Sequence, residues 1–323
     1  MPVGEALSGR LASWGLLGRL LSGLAVGHYK ICTRRFRRKV QSLERTYSGA
    51  HFSMVFLRYL VRKPHGFRYS QNTTPIVLLL LEPKRLLSLS TRSLVDAYWI
   101  LETNRAILFG DSITPDPDKY MLSSTRENWP NSTKKILMLM IQTSNFANRL
   151  FDEIESIPQE LRALDPRLDA LAHEGLEIKE RFLDWQAESQ SEELPMGPFT
   201  KLAIIIYHAL LLYHCGNFAY YPCWMARMIP QLTQSEVDKH VAAILDLSQT
   251  LLSDTDIPAV LLLFPLRMAG THVLESHGQN RVLGAIRQIR QKGFVVSDRI
   301  ELDLQEFWHY KLSILAEANE MRV

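Results

Sequence analysis

The segment Lys201–Cys215 constrains the fold more than any other part of the chain. Its sequence, KLAIIIYHALLLYHC, is apolar on nearly every side of a helix. A helix of this kind must be covered all round by other elements, which places it at the centre of a helical bundle. No series of segments with the two-residue alternation of half-buried strands competes with this interpretation.

Apolar residues at three- and four-residue steps predict further helices on both sides of this segment. Helix boundaries are marked by a capping-box pattern at Thr233–Glu236, by Pro258 in the first turn of the next helix, and by Gly293 just after a helix end. Ser132 or Thr133 and Ser297 are predicted to cap two of the helices. The predicted helices cover 91–109, 136–151, 168–185, 201–215, 233–253, 256–270, 278–292 and 297–318.

These helices are joined by short connections, which predicts an all-α fold. The arrangement is a multi-helix antiparallel bundle or an irregular α-superhelix. No fixed-period repeat is found, and its absence argues against a regular solenoid. Within 256–270, Pro265 is expected to bend a buried helix, and Phe294, Val295 and Val296 are expected to pack the last helix against the domain.

Charge divides the chain into two parts. Residues 1–81 contain 13 Lys or Arg against Glu5 and Glu44, a net charge of +11, whereas the rest contains 24 against 32 acidic residues, a net charge of −8. We therefore predict a basic N-terminal region over 1–83 and a helical domain over 84–323.

The N-terminal region contains a compact basic run: Arg34, Arg35, Arg37, Arg38 and Lys39. Such a run is typical of a nuclear-import or polyanion-binding patch, and its alternative is a solvated helix face. The preceding apolar segment, 11–26, is too short and too interrupted to predict a membrane span. A surface-lying or partner-docked helix is favoured for this segment, and a mitochondrial presequence is an alternative. The basic run makes the nucleus the first predicted compartment, with the cytoplasm and then the mitochondrion as alternatives.

Cysteine and histidine positions do not predict a metal site or a cofactor. The three cysteines, Cys32, Cys215 and Cys223, form no CxxC pair and no disulfide framework, which favours an intracellular compartment. His208 and His214 are separated by about 600° of helix rotation and therefore lie on different faces. The chain also has no phosphate loop, nucleophile elbow or HExxH, so no catalytic residues are predicted.

One short region is unusually aromatic and is the candidate ligand pocket. Rings with polar tips line small-molecule pockets, although they also fill helical cores, and the core interpretation is favoured. The candidate residues are Tyr207, His208, Tyr213, His214, Tyr220, Tyr221 and Trp224.

Several C-terminal motifs resemble the fungal-specific transcription factor domain, the long helical region downstream of the zinc binuclear cluster in fungal regulators. They are DIPAVLLLFPLRMAG at 256–270, RQKGFVVSDRI at 290–300 and DLQEFW at 303–308, preceded by EGLEIKERFLDW at 174–185 and the apolar helix at 201–215. The resemblance covers about residues 127–310. It implies a nuclear role in transcription, with protein partners, a small-molecule effector and a secondary-metabolite gene cluster as the setting.

The chain departs from the family in one respect. The family's DNA-binding module needs six closely spaced cysteines, and this chain has one cysteine before residue 215. We therefore expect a regulator-like protein that acts through partners without sequence-specific DNA binding of its own. The alternatives are a metabolite-binding protein or cofactorless biosynthetic enzyme that uses the aromatic region, and a degenerate regulator without activity.

Overall fold

The computed structural model describes residues 100–110, 131–191, 197–224, 227–255 and 257–320, with side chains as far as residue 313. All of the regular structure in these ranges is helical. We number the α-helices α1 (100–109), α2 (Asn131–Glu155), α3 (Arg167–Ser191), α4 (Pro198–Ala219), α5 (Gln234–Asp254), α6 (Leu263–His272), α7 (Ser276–Gln291) and α8 (Val296–Glu320). Short 3₁₀ turns lie at Arg162–Leu164, Pro222–Trp224 and Ala259–Leu262.

Helix α4 lies at the centre of the fold, as its sequence predicts. It contacts α2, α3, α5 and α6, and most of its side chains are buried. Within the described residues it is the one helix long and apolar enough to cross a membrane, but 72% of its apolar window is buried inside the domain. That burial is expected of a core helix surrounded by other helices.

The helices on one side of α4 form antiparallel pairs. Lys135, near the start of α2, binds Glu188, near the end of α3, and the Trp185 indole donates to the carbonyl of Ser132 over 2.7 Å. Further along, Arg149 binds Glu174. Since positions early in α2 pair with positions late in α3, the two helices run in opposite directions.

The other side of α4 is built from α5, α6, α7 and α8. Arg287 and Arg290 of α7 bind Glu301 and Asp298 of α8, so this pair is also antiparallel. Helix α1 joins the same half, because the Arg267 guanidinium of α6 donates to the Leu108 carbonyl at its end. The described helices therefore confirm the all-α fold, and their hairpin pairs agree with the antiparallel arrangement.

Two predicted helix boundaries are confirmed in atomic detail. Thr233 caps α5 through its side chain, and Glu236 returns to the Thr233 backbone, which completes the capping box. Gly293 has φ +99°, and the amides of Gly293 and Phe294 donate to the carbonyls of Arg290 and Ile289. Those two bonds are a Schellman motif, which needs a residue with positive φ at its centre.

The predicted bend at Pro265 is wrong, although the segment is buried as expected. Residues Ala259–Leu262 form a 3₁₀ turn, and the α-helix begins only at Leu263. Pro265 therefore lies in the first turn of α6, where its missing N–H would have no intrahelical partner. Pro258 is the residue before the 3₁₀ turn and not a member of the next helix.

The predicted serine caps and one hydrophobic contact also need correction. Helix α2 begins at Asn131, so Ser132 and Thr133 lie inside its first turn. Ser297 lies inside α8, and its hydroxyl donates to the Phe294 carbonyl over 2.6 Å. Val295 and Val296 remain 52% and 36% exposed, so Phe294, at 9%, is the residue that connects this turn to the core.

The N-terminal predictions lie outside the described residues. They are the basic run at 34–39, the apolar segment at 11–26 and the proposed division at residue 83. The predicted helix over 91–109 is seen only in its second half, α1.

Candidate functional site

The first group of candidate residues lies where α4 meets α5 and the end of α3. The Nδ1 atoms of His208 and His240 are 2.7 Å apart, which is hydrogen-bonding distance. Tyr207 stacks on Trp185 with ring centroids 5.3 Å apart, and its hydroxyl donates to Gln186 over 2.6 Å. Three helices thus meet around a small polar cluster made of His208, His240 and Tyr207. We call the two histidines the histidine pair.

Burial sets the charge of this cluster. It lowers the pKa of His208 to about 4, with the neighbouring His240 adding to the effect. Burial also lowers the pKa of His240, against the opposing influence of Glu236, and raises the pKa of Tyr207 to about 12. All three rings are therefore uncharged near neutral pH, so they interact through hydrogen bonds and not through salt bridges.

His214 lies on another face of α4, and none of its surface is exposed. Its Nε2 atom is 2.8 Å from the carbonyl oxygen of Gly175 in α3. Because a carbonyl only accepts, Nε2 carries the proton. Phe146, Phe182 and Phe218 surround the ring, and burial lowers its pKa to about 4. This histidine joins two helices inside an aromatic core.

Three further aromatic residues lie near the carboxyl end of α4. The Tyr221 hydroxyl donates to Glu155 over 2.6 Å, the Trp224 indole donates to the Phe218 carbonyl, and Tyr220 is 72% exposed. The Tyr221 bond is the main reason that the pKa of Glu155 is lowered. Tyr213 lies elsewhere, edge-on to Phe264 of α6.

The structure therefore distributes the seven candidate residues over several places around α4. Tyr207 and His208 lie together, as do Tyr220 and Tyr221. His214 and Trp224 contact the same ring, that of Phe218, and Tyr213 packs separately against Phe264. The different faces of His208 and His214 follow from their spacing. His240 was missed because nothing in the sequence connects it with a residue 32 positions away.

Metal and thiol chemistry find little support in the described part of the chain. Within it, no group of three or more His, Cys, Asp and Glu side chains is placed to hold a metal ion. Cys215 and Cys223 are both buried free thiols, and burial raises the pKa of Cys215 to about 11. A thiol of that kind is almost entirely protonated and therefore a poor nucleophile.

Comparison with known proteins gives one match. The sequence profile of the family described as "Fungal specific transcription factor domain" matches residues 69–311, well over half of the chain. The chain belongs to this family. No curated protein and no solved structure matches it.

Membership in the fungal specific transcription factor domain family accounts for most of the described helices. The match extends across α1 to α7 and into α8, and thus includes the whole core around α4. It begins after the basic run at 34–39, which the family match therefore does not explain. The family supports a transcription-regulator-like role, and the histidine pair has no assigned part in it.

Proposed function

We propose that this protein regulates transcription through protein partners and does not read DNA sequence by itself. The observation that carries the proposal is the family match over 69–311 in a chain that contains only three cysteines. Six cysteines are needed for the two-zinc module, so these 323 residues cannot form it. Base readout requires a rigid element held in a groove of the DNA, and we propose that a partner supplies that element.

The charges of α7 agree with this proposal. Arg281, Arg287 and Arg290 make α7 basic, yet each of them binds an acidic residue of a neighbouring helix, at N–O distances of 2.6, 2.7 and 3.0 Å. A phosphate would have to displace those carboxylates. These arginines are therefore already paired and do not form a row of free phosphate contacts.

The nucleus is the proposed compartment, and Arg34, Arg35, Arg37, Arg38 and Lys39 are the proposed import patch. The support is the family's role together with the density of positive charge in that run. Control of a fungal secondary-metabolite gene cluster is the proposed setting, by analogy with the family. The basic N-terminal region would add only weak, sequence-independent attraction to phosphates.

Two measurements test the mode of action. In the first, the full chain is fused to an unrelated DNA-binding domain and placed on a reporter carrying that domain's site. We expect a several-fold change in reporter output, because the added domain then supplies the contact with DNA. An unchanged reporter, with the fusion present in the nucleus, would contradict action through partners.

In the second measurement, the purified chain is titrated with promoter DNA at increasing salt. We expect weak binding that is lost by ~0.2 M salt and shows no preference over competitor DNA. A complex with one promoter sequence that survives this salt would refute the proposal, since it would require a DNA-reading element in this chain.

Localisation is tested with two variants of the import patch in a fluorescent fusion. Changing the five basic residues to alanine should move the protein to the cytoplasm. A matched variant with the four arginines changed to lysine keeps the charge and should remain nuclear. Mitochondrial fluorescence of the unaltered fusion would overturn the nuclear assignment.

A further inference from the structure

Two loops meet at one end of the domain. One joins α2 to α3, and the other joins α4 to α5. The Arg227 guanidinium of the second loop donates to the carbonyls of Ala163 and Asp165 in the first, over 2.6 and 3.1 Å. Arg162 of the first loop lies over the Tyr221 ring of the second, 5.7 Å from its centroid. These contacts hold the two loops together as one surface.

Large apolar side chains are exposed on both loops. In the first, the Leu164 amide donates to the Leu161 carbonyl over 3.0 Å, which closes a 3₁₀ turn and places both leucines on the same side. Leu164 follows Ala163 and Met228 follows Arg227, so the bond between Arg227 and Ala163 brings Leu164 and Met228 close together. Their exposed fractions are 79% and 80%.

Tyr220 lies beside this group. Its ring is 4.9 Å from that of Tyr221, on which Arg162 packs, and Leu161 precedes Arg162 in the chain. Four exposed apolar residues therefore lie around one loop contact, and we call them the tip surface: Leu161, Leu164, Tyr220 and Met228. Clusters of exposed apolar side chains mark interaction surfaces.

The acidic excess of the described helices lies at this same end. Residues 152–169 contain six acidic and two basic side chains, a net charge of −4, whereas the rest of 131–191 contains five of each sign and 197–313 contains ten of each. Counting Arg227 of the other loop lowers the excess to −3. The tip surface is therefore apolar with an acidic surround.

Two carboxylates in this surround have no ion partner. Each arginine of the two loops already binds an acidic residue, in the pairs Arg162–Glu155, Arg167–Asp165 and Arg227–Asp169. Asp152 and Glu160 are exposed and make no ion pair within the described part of the chain. Apolar contacts beside unneutralised negative charge favour an occupant that is both apolar and basic.

The chain itself contains a segment of that composition. Residues 55–63, VFLRYLVRK, hold six apolar side chains, three basic ones and no acid, and lie outside the described residues. Neighbouring segments match only in part, since 34–39 is basic with one apolar residue and 76–81 is apolar without charge. The 36 residues 64–99 precede α1 and can span ~120 Å, against ~45 Å across a domain of this size. The segment can therefore reach the tip surface within one chain.

From these observations we propose that the tip surface binds the chain's own segment 55–63. The apolar side chains of the segment cover the tip surface, and Arg58, Arg62 and Lys63 face its acidic surround. Tethering within one chain raises the effective concentration of the segment, so individually weak contacts are sufficient. The same contact holds the positive N-terminal region against the acidic end of the domain and thereby weakens its attraction for other polyanions.

This internal contact goes beyond the proposed function and does not rest on it. Its test uses the purified chain without DNA or partner, so its failure would leave the proposed regulatory role untouched.

The contact is tested by photo-cross-linking in the full chain, with Tyr220 replaced by p-benzoylphenylalanine. We expect cross-links to 55–63, identified by mass spectrometry, in an equal mixture of isotopically labelled and unlabelled chains. The same replacement at Tyr310, which is also exposed but lies on α8, should give none to this segment. Cross-links that join labelled to unlabelled chains would instead assign the surface to a second copy and overturn the proposal. The absence of cross-links to 55–63 would also overturn it.

Leu164→Ser combined with Met228→Ser removes two apolar contacts of the tip surface and should lower the cross-link yield about tenfold. Leu302→Ser combined with Leu312→Ser is the matched control, because both leucines are exposed on α8, and its yield should stay within about twofold. Circular dichroism checks that the helices of each variant are intact. An unchanged yield in the first variant, or an equal loss in the control, would refute the tip surface as the site.

Charge reversal tests the identity of the segment. Arg58→Glu with Arg62→Glu, and separately Asp152→Lys with Glu160→Lys, should each lower the yield several-fold, because like charges then face each other. The variant with all four changes restores opposite charges and should recover most of the yield. If the four changes together lower the yield as far as the two losses combined, the proposed pairing is wrong.

Discussion

At two helix junctions in this domain a buried ring hydrogen-bonds to the backbone carbonyl of a glycine, but the surrounding side chains differ. In the first, the Gly175 carbonyl of α3 lies 2.8 Å from Nε2 of His214 in α4. In the second, the Gly270 carbonyl of α6 accepts a 2.8 Å hydrogen bond from the indole of Trp308 in α8. In both places the absence of a Cβ lets a neighbouring helix approach closely enough for a buried ring to reach the backbone.

The surroundings determine how much change each junction tolerates. A Cβ at Gly175 would lie 2.2 and 2.7 Å from two atoms of the Phe218 ring, which is itself fully buried and packed on Phe146 and Trp224. A Cβ at Gly270 would lie 2.8 Å from the two terminal methyl groups of Leu304. The end of a leucine side chain can rotate, whereas a ring packed between other rings cannot. The two junctions therefore differ in how well they tolerate replacement of the glycine, although their hydrogen bonds have the same length.

The largest expected effect is that of Gly175→Ala. The new methyl group overlaps the Phe218 ring, and relieving the overlap should cost about 3 kcal/mol of unfolding free energy. For a domain of this size that corresponds to a fall in Tm of roughly 6–12 °C. Thermal unfolding measures it, and the double variant with Phe218→Leu should recover part of the loss. Additive losses in the double variant would show that the clash is not the cause.

The second largest expected effect is a loss of stability at acidic pH, and of the two junctions only the one between His214 and Gly175 should show it. The pKa of His214 is about 4 in the folded protein and ordinarily about 6.5, so the unfolded chain takes up the proton first. Stability is therefore complete above pH 6.5 and falls as the pH drops towards 4, by about 2 kcal/mol at pH 5 from this residue.

His214→Gln tests this explanation, since its amide can still donate to Gly175 but does not titrate. We expect a shallower loss of stability between pH 7.5 and pH 5 in urea unfolding, with His208, His240 and His272, whose pKa values burial also lowers, accounting for the rest. Trp308→Phe removes the donor of the other junction and should lower stability equally at both pH values. A pH profile unchanged by His214→Gln would contradict the assignment.

A third substitution, at Gly293, tests the effect of backbone conformation and not that of the space available for a side chain. Gly293 has φ +99°, where side chains other than glycine are strained. Gly293→Val should therefore cost about 1–3 kcal/mol, most of it from the backbone. Gly293→Asn, which tolerates positive φ better, should cost less. Equal stabilities of the two variants, measured by urea unfolding, would argue against the Schellman end of α7.

The smallest expected effect is that of Gly270→Ala. The Leu304 methyl groups can move aside, and alanine gains up to about 1 kcal/mol of helix propensity over glycine, so the net loss should be about 1 kcal/mol. Gly284→Ala is the control, because its Cβ meets nothing within 4 Å and it should stabilise the domain slightly. If Gly270→Ala were as damaging as Gly175→Ala, the contrast between the two junctions would be lost.

Sequence patterns predicted local structure well wherever the determining residues were neighbours. The Thr233–Glu236 capping box, the Gly293 end of α7 and the central burial of α4 all follow from short segments. Pro265 was misjudged because a 3₁₀ turn before α6 shifted the helix start. Such a shift depends on how the turn packs against the core, which periodicity does not reveal.

The candidate site was less predictable, because it depends on contacts between distant segments. Nothing in the sequence indicates that His240 faces His208. Aromatic density near 207–224 identified a largely buried region but not one common pocket. The spacing of His208 and His214 predicted their different faces, but residue types alone did not show that Tyr220, Tyr221 and Trp224 lie beyond the end of α4.

The central place of α4 also determines how the domain opens. Because α4 contacts α2, α3, α5 and α6, neither group of helices can separate without exposing it. Its backbone amides should therefore exchange with deuterium only through unfolding of the whole domain, whereas those of α8 can exchange through local opening. The slow exchange of this one helix would thus report the free energy of unfolding of the whole helical domain.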